Sequence, residues 1–320
     1  MTQPERLVSI HRQKKPDELA SQAARYTRKH KAHDGPTPTR PLIISASELS
    51  EFLRCRVRHH WSSQLRLTSV KPSVPRSMGT LGHQVMEEWY KLPHVRRTTA
   101  GMKRIATKLI RGTTMKELTE EDRELLTAMV TGYADWCMDE ETEHNDSSIG
   151  LVKCLPEAWF EENVVPDGSI RVRGKIDNLF ESTTYKKTVG MLESKFKGQI
   201  RETEDNRVQD NVYLWAMRKR FPKMKRFTLY YQILRKQMPG PRVKAPLFSR
   251  DLVERTEDEI AQFEVDMRNI AIDMLDGAIY PNRNGQCQWD CDFKVPCLLR
   301  GNEEDLRHVL DTEFTARTYP

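Results

Sequence analysis

The sequence predicts an α/β fold, a small mixed sheet flanked by helices. Three observations carry that expectation. Strand-like runs cluster after Asn145. A helical stretch over 205–220 interrupts them before a fourth strand-like run. Long helical patterns lie on both sides, over 117–143 and 255–276.

Residues 1–40 are rich in Lys, Arg, His, Gln and Pro and end in the breaker cluster Asp34-Gly35-Pro36-Thr37-Pro38. They read as a basic flexible arm with one short helix over 17–30, serving either as a backbone clamp or as a solvated tail. Folding begins at Leu42-Ile43-Ile44. Ser45 or Ser47 can cap a helix that carries Leu49, Phe52 and Leu53 on one face and ends at Cys55. A polar stretch over 68–77 follows. Gly79 and Gly82 then precede His83, and a helix with Val85, Met86, Trp89 and Tyr90 comes next. Helices over about 100–111 and 117–143 form an inserted lobe, in which Leu125, Leu126, Met129, Tyr133, Trp136 and Cys137 recur at helical spacing.

Residues 152–165 and 170–180 read as strands joined by the turn Pro166-Asp167-Gly168. A third strand covers 189–196. The helix over 205–220 carries Val208, Val212, Trp215 and Ala216, and a fourth strand covers 227–234. The amphipathic helix over 255–276 shows Ile260, Phe263, Met267, Ile270 and Met274. The order β-β-β-α-β between helices is the basis of the α/β assignment.

Of the 320 residues, 38% are hydrophobic and 31% charged, and no apolar run is long enough to cross a bilayer. Residues 1–15 are basic and polar without an apolar segment, so the expected location is the cytoplasm, of a bacterial or phage-encoded protein. There six cysteines are thiols or metal ligands rather than disulfides. The net charge of +6 permits nucleic-acid binding without requiring it.

The chemistry gathers in scattered positions. Asp177 sits in an apolar strand pattern with Ile170, Val172, Ile176 and Leu179, so its carboxylate is either paired, with Lys175 or Arg173, or metal-bound. Glu193 and Lys195 are two residues apart on a strand and share a face. Such a Glu can hold a hard cation and such a Lys can stabilise charge on a phosphate, although an ordinary surface ion pair has the same spacing. Gln209 and Tyr213 are an i, i+4 pair on one helix face, fit to orient the acidic groups or simply half-buried. His83, beside Gly79 and Gly82, is a competent metal ligand or a structural histidine.

Taken together, Gly79-x-x-x-His83, Gly174-x-x-Asp177, Glu193-x-Lys195 and Gln209-x-x-x-Tyr213 resemble the PD-(D/E)XK nucleases. The RecB-like branch, with its CRISPR-associated iron–sulfur exonucleases and the AddB nuclease domain, is the most similar. The resemblance runs from about Ser45 to Cys297 and implies a restriction-endonuclease-like core. It implies that His83, Asp177, Glu193 and the carbonyl of Ser194 bind Mg²⁺ or Mn²⁺, that Lys195 assists, and that phosphodiester hydrolysis leaves 5′-phosphates. One departure is Ile176 where many members carry Pro.

Cys287-x3-Cys291-x5-Cys297 suggests soft-metal ligation and needs a fourth ligand. The resemblance supplies Cys55, because Ser45-x-Ser47-x-Leu49-x-x-Phe52-x-x-Cys55 is how the iron–sulfur members open. A 4Fe-4S cluster held by these four cysteines would staple the two ends of the domain, with structural Zn²⁺ as the competitor. The first gap in the tail is one residue longer than the family's usual Cys-x2-Cys-x5-Cys. Cys137 and Cys154 read as core thiols.

The expected organisation is an arm over 1–40, a nuclease domain over 41–300 and a tail over 301–320. Within the domain lie the lobe over about 84–145, the catalytic core over about 150–250 and the cysteine loop over 280–300. Candidate DNA contacts are Arg54, Arg56, Arg58, His59, His60 and Trp61 around Cys55, and Lys197, Arg201 and Arg207 after the Glu-x-Lys strand. The expected partners are DNA, single-stranded or at ends, and a helicase, an annealing protein or a CRISPR adaptation complex, with no membrane. The activity expected is a DNA exonuclease in recombination, repair or processing, the alternative a DNA-binding adaptor with a nuclease fold.

Overall fold

The structure is a computed structural model that describes residues 41–317 apart from 72, 140, 142–144, 199–207, 241–242, 244–245 and 289–290. The basic arm, Arg201 and Arg207 lie outside the described residues. In chain order the elements are β1 (Leu42–Ser45), α1 (Ala46–Arg54), α2 (Arg56–His59), β2 (Leu67–Ser69), α3 (Val74–Tyr90), α4 (Thr99–Arg111) and α5 (Glu120–Met138). Then follow β3 (Leu155–Asn163), β4 (Ile170–Glu181), β5 (Thr188–Lys197), α6 (Val208–Arg220), β6 (Arg226–Arg235) and β7 (Phe248–Val253). The chain closes with α7 (Glu257–Asp276), α8 (Lys294–Leu298), α9 (Glu303–Glu313) and β8 (Phe314–Ala316).

Two compact units form. Among the described residues, one comprises 41–71, 163–173 and 261–317, the other 73–162 and 174–260, so β3, β4 and α7 contribute residues to both.

In the first unit, β1 pairs in parallel with the start of β4, from Leu42 opposite Ile170 to Ser45 opposite Arg173. Helix α1 begins in a capping box: the Glu48 N–H donates to Ser45 Oγ at 3.2 Å and the Ser45 N–H donates to Glu48 Oε2 at 2.7 Å. It ends at Cys55, as expected. The apolar core here is Val57, Trp61, Leu65, Leu67, Phe293, Leu306, Leu310 and Phe314. The antiparallel pair β2 and β8 was not anticipated, because each strand has only three residues.

In the second unit, β4 pairs antiparallel with β5 and β5 pairs in parallel with β6. A parallel pair needs a crossover, and α6 provides it. The mixed α/β architecture is as expected, with one addition. Strand β7 lies antiparallel to β6. Its six residues, isolated from the other strands by Pro239, Gly240 and Pro241, gave too short a pattern to read.

Helix α3 corrects one expectation. Gly79, Gly82 and His83 lie inside it, not ahead of it, because it starts at Val74 with Pro75 in its first turn, where the missing N–H costs nothing. Helices α3, α4 and α5 form the lobe. They bury Val85, Trp89, Met102, Ile110, Leu126 and Tyr133 in one core with Phe180, Leu192, Tyr230 and Leu234 of the strands. Truncating a fully buried Trp such as Trp89 would cost about 3–5 kcal/mol.

Candidate active site

Strand β5 has neighbours on both edges, so residues 188–194 are all buried, Glu193 among them at 2% exposure. An isolated carboxylate there would be costly. Lys195 Nζ meets Glu193 Oε1 at 2.5 Å, two residues along the same face. Asp177 arrives from β4 and pairs with neither Lys175 nor Arg173. His83 Nδ1 lies 3.3 Å from Asp177 Oδ2, and the Ser194 N–H donates to the same oxygen at 2.7 Å. Lys175 binds Glu157 instead.

Gly82 explains how His83 reaches the sheet. A Cβ at Gly82 would collide with the Phe196 ring, so only Gly lets α3 approach β5 this closely. The His83 imidazole then stands edge-on to Phe196, with ring centroids 5.5 Å apart. From α6, Gln209 Nε2 donates to Glu193 Oε1 at 2.8 Å and to the Tyr213 hydroxyl at 2.8 Å. The Tyr213 hydroxyl donates to the Lys175 carbonyl at 2.7 Å, tying the helix to β4. Thus His83, Asp177, Glu193, Ser194, Lys195, Gln209 and Tyr213, 130 positions apart at the extremes of sequence, form one connected set.

The electrostatics are uneven. Burial and then the charge of Asp177 push Glu193 up to about 7. Burial works in the same direction on Asp177, but the hydrogen bond and charge of His83 outweigh it and hold its carboxyl below the usual range. His83 and Lys195 are both raised. In each, burial opposes the charged form and the facing carboxylate prevails.

Glu193 Oε2 is buried without a hydrogen-bond partner. With Asp177 and the imidazole it forms an oxygen-and-nitrogen donor set that fits a hard divalent cation. Among the described residues no three or more His, Cys, Asp or Glu side chains converge as a preformed cation cage. Lys195 and His83 hold the carboxylates instead.

A buried polar network stands behind the set, and the sequence reading missed it. Gln232 Nε2 donates to Ser194 Oγ at 2.6 Å. Gln232 Oε1 accepts from the Tyr133 hydroxyl at 2.7 Å and from Arg250 at 3.0 Å. Arg250 pairs with Asp146 at 3.0 Å, and Arg97 faces the same carboxylate at 3.7 Å. The available signal was Gln232, an amide set between the apolar residues Tyr231 and Ile233 of its strand.

In the first unit, all four predicted cysteine ligands are free and half-buried. Cys55, Cys291 and Cys297 pack against that unit's core. Burial raises the Cys291 thiol, with charge on Cys287 and Cys55 adding to it. Burial likewise raises Cys297, with Cys55 and Cys291 adding. These sulfurs influence one another electrostatically, but among the described residues no three His, Cys, Asp or Glu side chains converge as a metal-holding group. Cys287 lies in a single 3₁₀ turn, its sulfur accepting from the Asn284 N–H at 3.5 Å.

Cys137 is a core thiol, and Cys154, half-buried just ahead of β3, packs against the same core with its sulfur near the Tyr90 carbonyl and the Arg97 guanidinium. One expectation changes. The candidate DNA contacts around Cys55 are mostly committed within their own unit. Trp61 is fully buried against Phe293, and His59 and His60 are 3% exposed. Arg56 pairs with Asp273 at 2.7 Å and stacks on Phe52 and Tyr280, while Arg58 pairs with Glu51. Lys197 stays exposed.

The fold and the acidic set define a nuclease class. The sequence matches the model of the PD-(D/E)XK nuclease superfamily over residues 43–298, and the chain belongs to that superfamily. No curated protein matches it. Among solved structures, a candidate exonuclease from Eubacterium rectale is similar at 12% identity and a TM-score of 0.45, over 79% of this chain and 86% of that one. The structure of SSO0001 is similar at 10% identity and a TM-score of 0.37, over 89% of this chain and 96% of that one. Likeness at this level does not extend to chemistry.

Proposed function

We propose that the protein is a Mg²⁺- or Mn²⁺-dependent DNA exonuclease of the RecB-like type, hydrolysing phosphodiesters to 5′-phosphates. The observation that carries this reading is the buried Asp177–Glu193–Lys195 set with His83, in which Glu193 keeps one oxygen without a hydrogen-bond partner. His83, Asp177, Glu193 and the Ser194 carbonyl would hold the cation, which when bound supplies charge neutralisation at the phosphoryl oxygens and a lowered pKa for water. Lys195 places its ammonium where negative charge develops on the phosphate. Gln209 and Tyr213 fix the position of Glu193 and of the β4 backbone. Glu193, with its raised pKa, gives up its proton when the site is loaded.

We further infer that Cys55, Cys287, Cys291 and Cys297 hold a 4Fe-4S cluster, with structural Zn²⁺ as the competing occupant. The soft donor set and the packing of Cys55, Cys291 and Cys297 against one core support it. Anaerobically purified protein should be brown, and a colourless protein with stoichiometric zinc would decide for Zn²⁺.

The test of the main reading is Mn²⁺-dependent degradation of end-labelled DNA. Wild type should release 5′-phosphate mononucleotides, and Asp177→Ala should be slower by about 10³-fold, the equivalent of several kcal/mol of lost charge stabilisation. Wild type and variant equally inert on single- and double-stranded substrates would overturn the enzymatic reading in favour of a DNA-binding adaptor.

A further inference from the structure

Charge is distributed very unevenly along the chain. Between Trp89 and Lys116 there are eight Lys and Arg residues and no Asp or Glu, whereas the whole chain nets only +6. The rest of the molecule is therefore slightly acidic. Two of the eight cations are neutralised locally: Lys91 pairs with Glu87 and Glu88, and buried Arg97 faces Asp146.

Helix α4 displays four of the others. Met102, Ala106 and Ile110 face the core of the lobe, and Lys103, Arg104, Lys108 and Arg111 are exposed on the helix. None of these four has an ion-pair partner among the described residues, unlike Arg56, Arg58, Arg226 and Arg250, which all pair with acids. A shallow open hollow of about 520 Å³ lies over Ala100, Lys103, Arg104, Thr107 and Lys108.

Stability does not account for the pattern. Like charges three or four residues apart, as in Arg104 with Lys108 and Lys108 with Arg111, weaken a helix by about 0.2–0.5 kcal/mol per pair. The helix dipole favours cations in the last turn, which covers Lys108 and Arg111 but not Lys103 and Arg104. A face that costs stability and remains uncompensated suits an external polyanion. From Lys103 to Arg111 it spans about 12 Å at the helical rise of about 1.5 Å per residue. That length matches about three to four phosphates of one strand of a duplex, which advance about 3.4 Å each along its axis.

We propose that the exposed face of α4 is a docking track for the phosphate backbone of a nucleic-acid strand. The choice of nucleic acid over other polyanions rests on the nuclease reading and on α4 belonging to the same compact unit as the acidic set.

The test is the salt dependence of binding. Fluorescence anisotropy would follow a labelled single strand on Asp177→Ala protein, which binds without cutting, across a KCl series. The comparison protein carries Lys103→Gln, Arg104→Gln, Lys108→Gln and Arg111→Gln in addition. Each lost phosphate contact should flatten the slope of log affinity against log salt by about 0.7, so the fourfold variant should lose about 3 and the pair Lys103→Gln/Arg104→Gln about half that. Thermal midpoints should hold or rise, since repulsion is relieved. In the otherwise wild-type background, Mn²⁺-dependent hydrolysis of bis(p-nitrophenyl) phosphate, too small to need the track, should be unchanged.

An unchanged slope in both variants would overturn the proposal. So would an unchanged slope with lost binding to phosphatidylserine vesicles, which would assign the face to a membrane surface. Failure of wild type to hydrolyse any phosphodiester would count against the nuclease reading, and the slope comparison would still decide on the track.

Discussion

The second unit contains two buried charge clusters with opposite designs. Around Asp146, two guanidiniums, Arg250 and Arg97, face one carboxylate, and Arg250 and Asp146 are both sealed from solvent at 0% exposure. Around Glu193, two carboxylates share one ammonium and one imidazole, and the side chains of Lys195 and His83 remain 29% and 32% exposed. The first cluster has an excess of cations and is closed. The second has counter-charges that are partly exposed, and it opens outward. Burial alone therefore does not mark a functional site. An acid whose compensation is incomplete and reachable does. The two are joined through Gln232, which takes its orientation from Arg250 and Tyr133 and holds Ser194.

The comparison breaks most sharply at Arg250. Arg250→Met leaves Asp146 buried with Arg97 at 3.7 Å and the Tyr90 hydroxyl at 3.4 Å to compensate it. Removing one partner of a buried pair costs about 3–5 kcal/mol. Urea denaturation of the variant should show a loss of that size, whereas Glu193→Gln in the open cluster should cost far less while abolishing hydrolysis. A loss at Arg250 below about 1 kcal/mol would mean that the closed cluster is not an anchor.

Much of the open cluster was legible in the sequence and almost none of the closed one. Asp177, Glu193 and Lys195 stand out because a charged residue interrupts an apolar strand pattern at spacing that fixes its face. Gln209 and Tyr213 follow from helical periodicity. Asp146 lies in a loop, Arg250 lies on an unread six-residue strand, and Arg97 follows a short 3₁₀ turn. Asp146 lies 104 positions from Arg250 and 49 from Arg97, so no local pattern links them. The two strands of the β2 and β8 pair escaped for the same reason: pairing between distant three-residue segments is settled by packing, not by alternation. Around Cys55 the reading erred in kind. An Arg-, His- and Trp-rich stretch suggested nucleic-acid contact, yet Trp61 anchors a core and Arg56 is held by Asp273 and two aromatic rings.

A smaller effect sharpens the link between the clusters. Gln232→Leu keeps the volume but removes the donor to Ser194 Oγ and the acceptor for Tyr133. Ser194 then loses one constraint on the peptide that binds Asp177 through its N–H. Loss of such an outer-shell partner typically weakens metal binding about 10-fold. Mn²⁺ titration followed by electron paramagnetic resonance should show that loss, with kcat at saturating Mn²⁺ little changed. Equal Mn²⁺ affinity in wild type and Gln232→Leu would cut the proposed link.

The smallest effect is a pH dependence of stability in metal-free protein. Glu193 rises from its ordinary 4.5 to about 7, first through burial and then through Asp177, so between these values the folded chain holds a proton that the unfolded chain has released. Stability from this group is therefore full below pH 4.5 and declines as pH climbs towards 7. His83, also raised, adds a decline in the same direction above its ordinary 6.5. Asp177 is depressed below its ordinary 3.8, so its contribution is lost only in stronger acid and does not offset the trend in this window. The thermal midpoint of metal-free protein should fall from pH 5 to pH 7 by more than that of Glu193→Gln, which cannot ionise at this position. Added Mn²⁺ should reverse the trend, because a cation stabilises the deprotonated acid, and its stabilising effect should grow with pH. A wild-type curve parallel to that of Glu193→Gln, with or without Mn²⁺, would show that Glu193 is already ionised and balanced, and would remove the distinction between the two clusters.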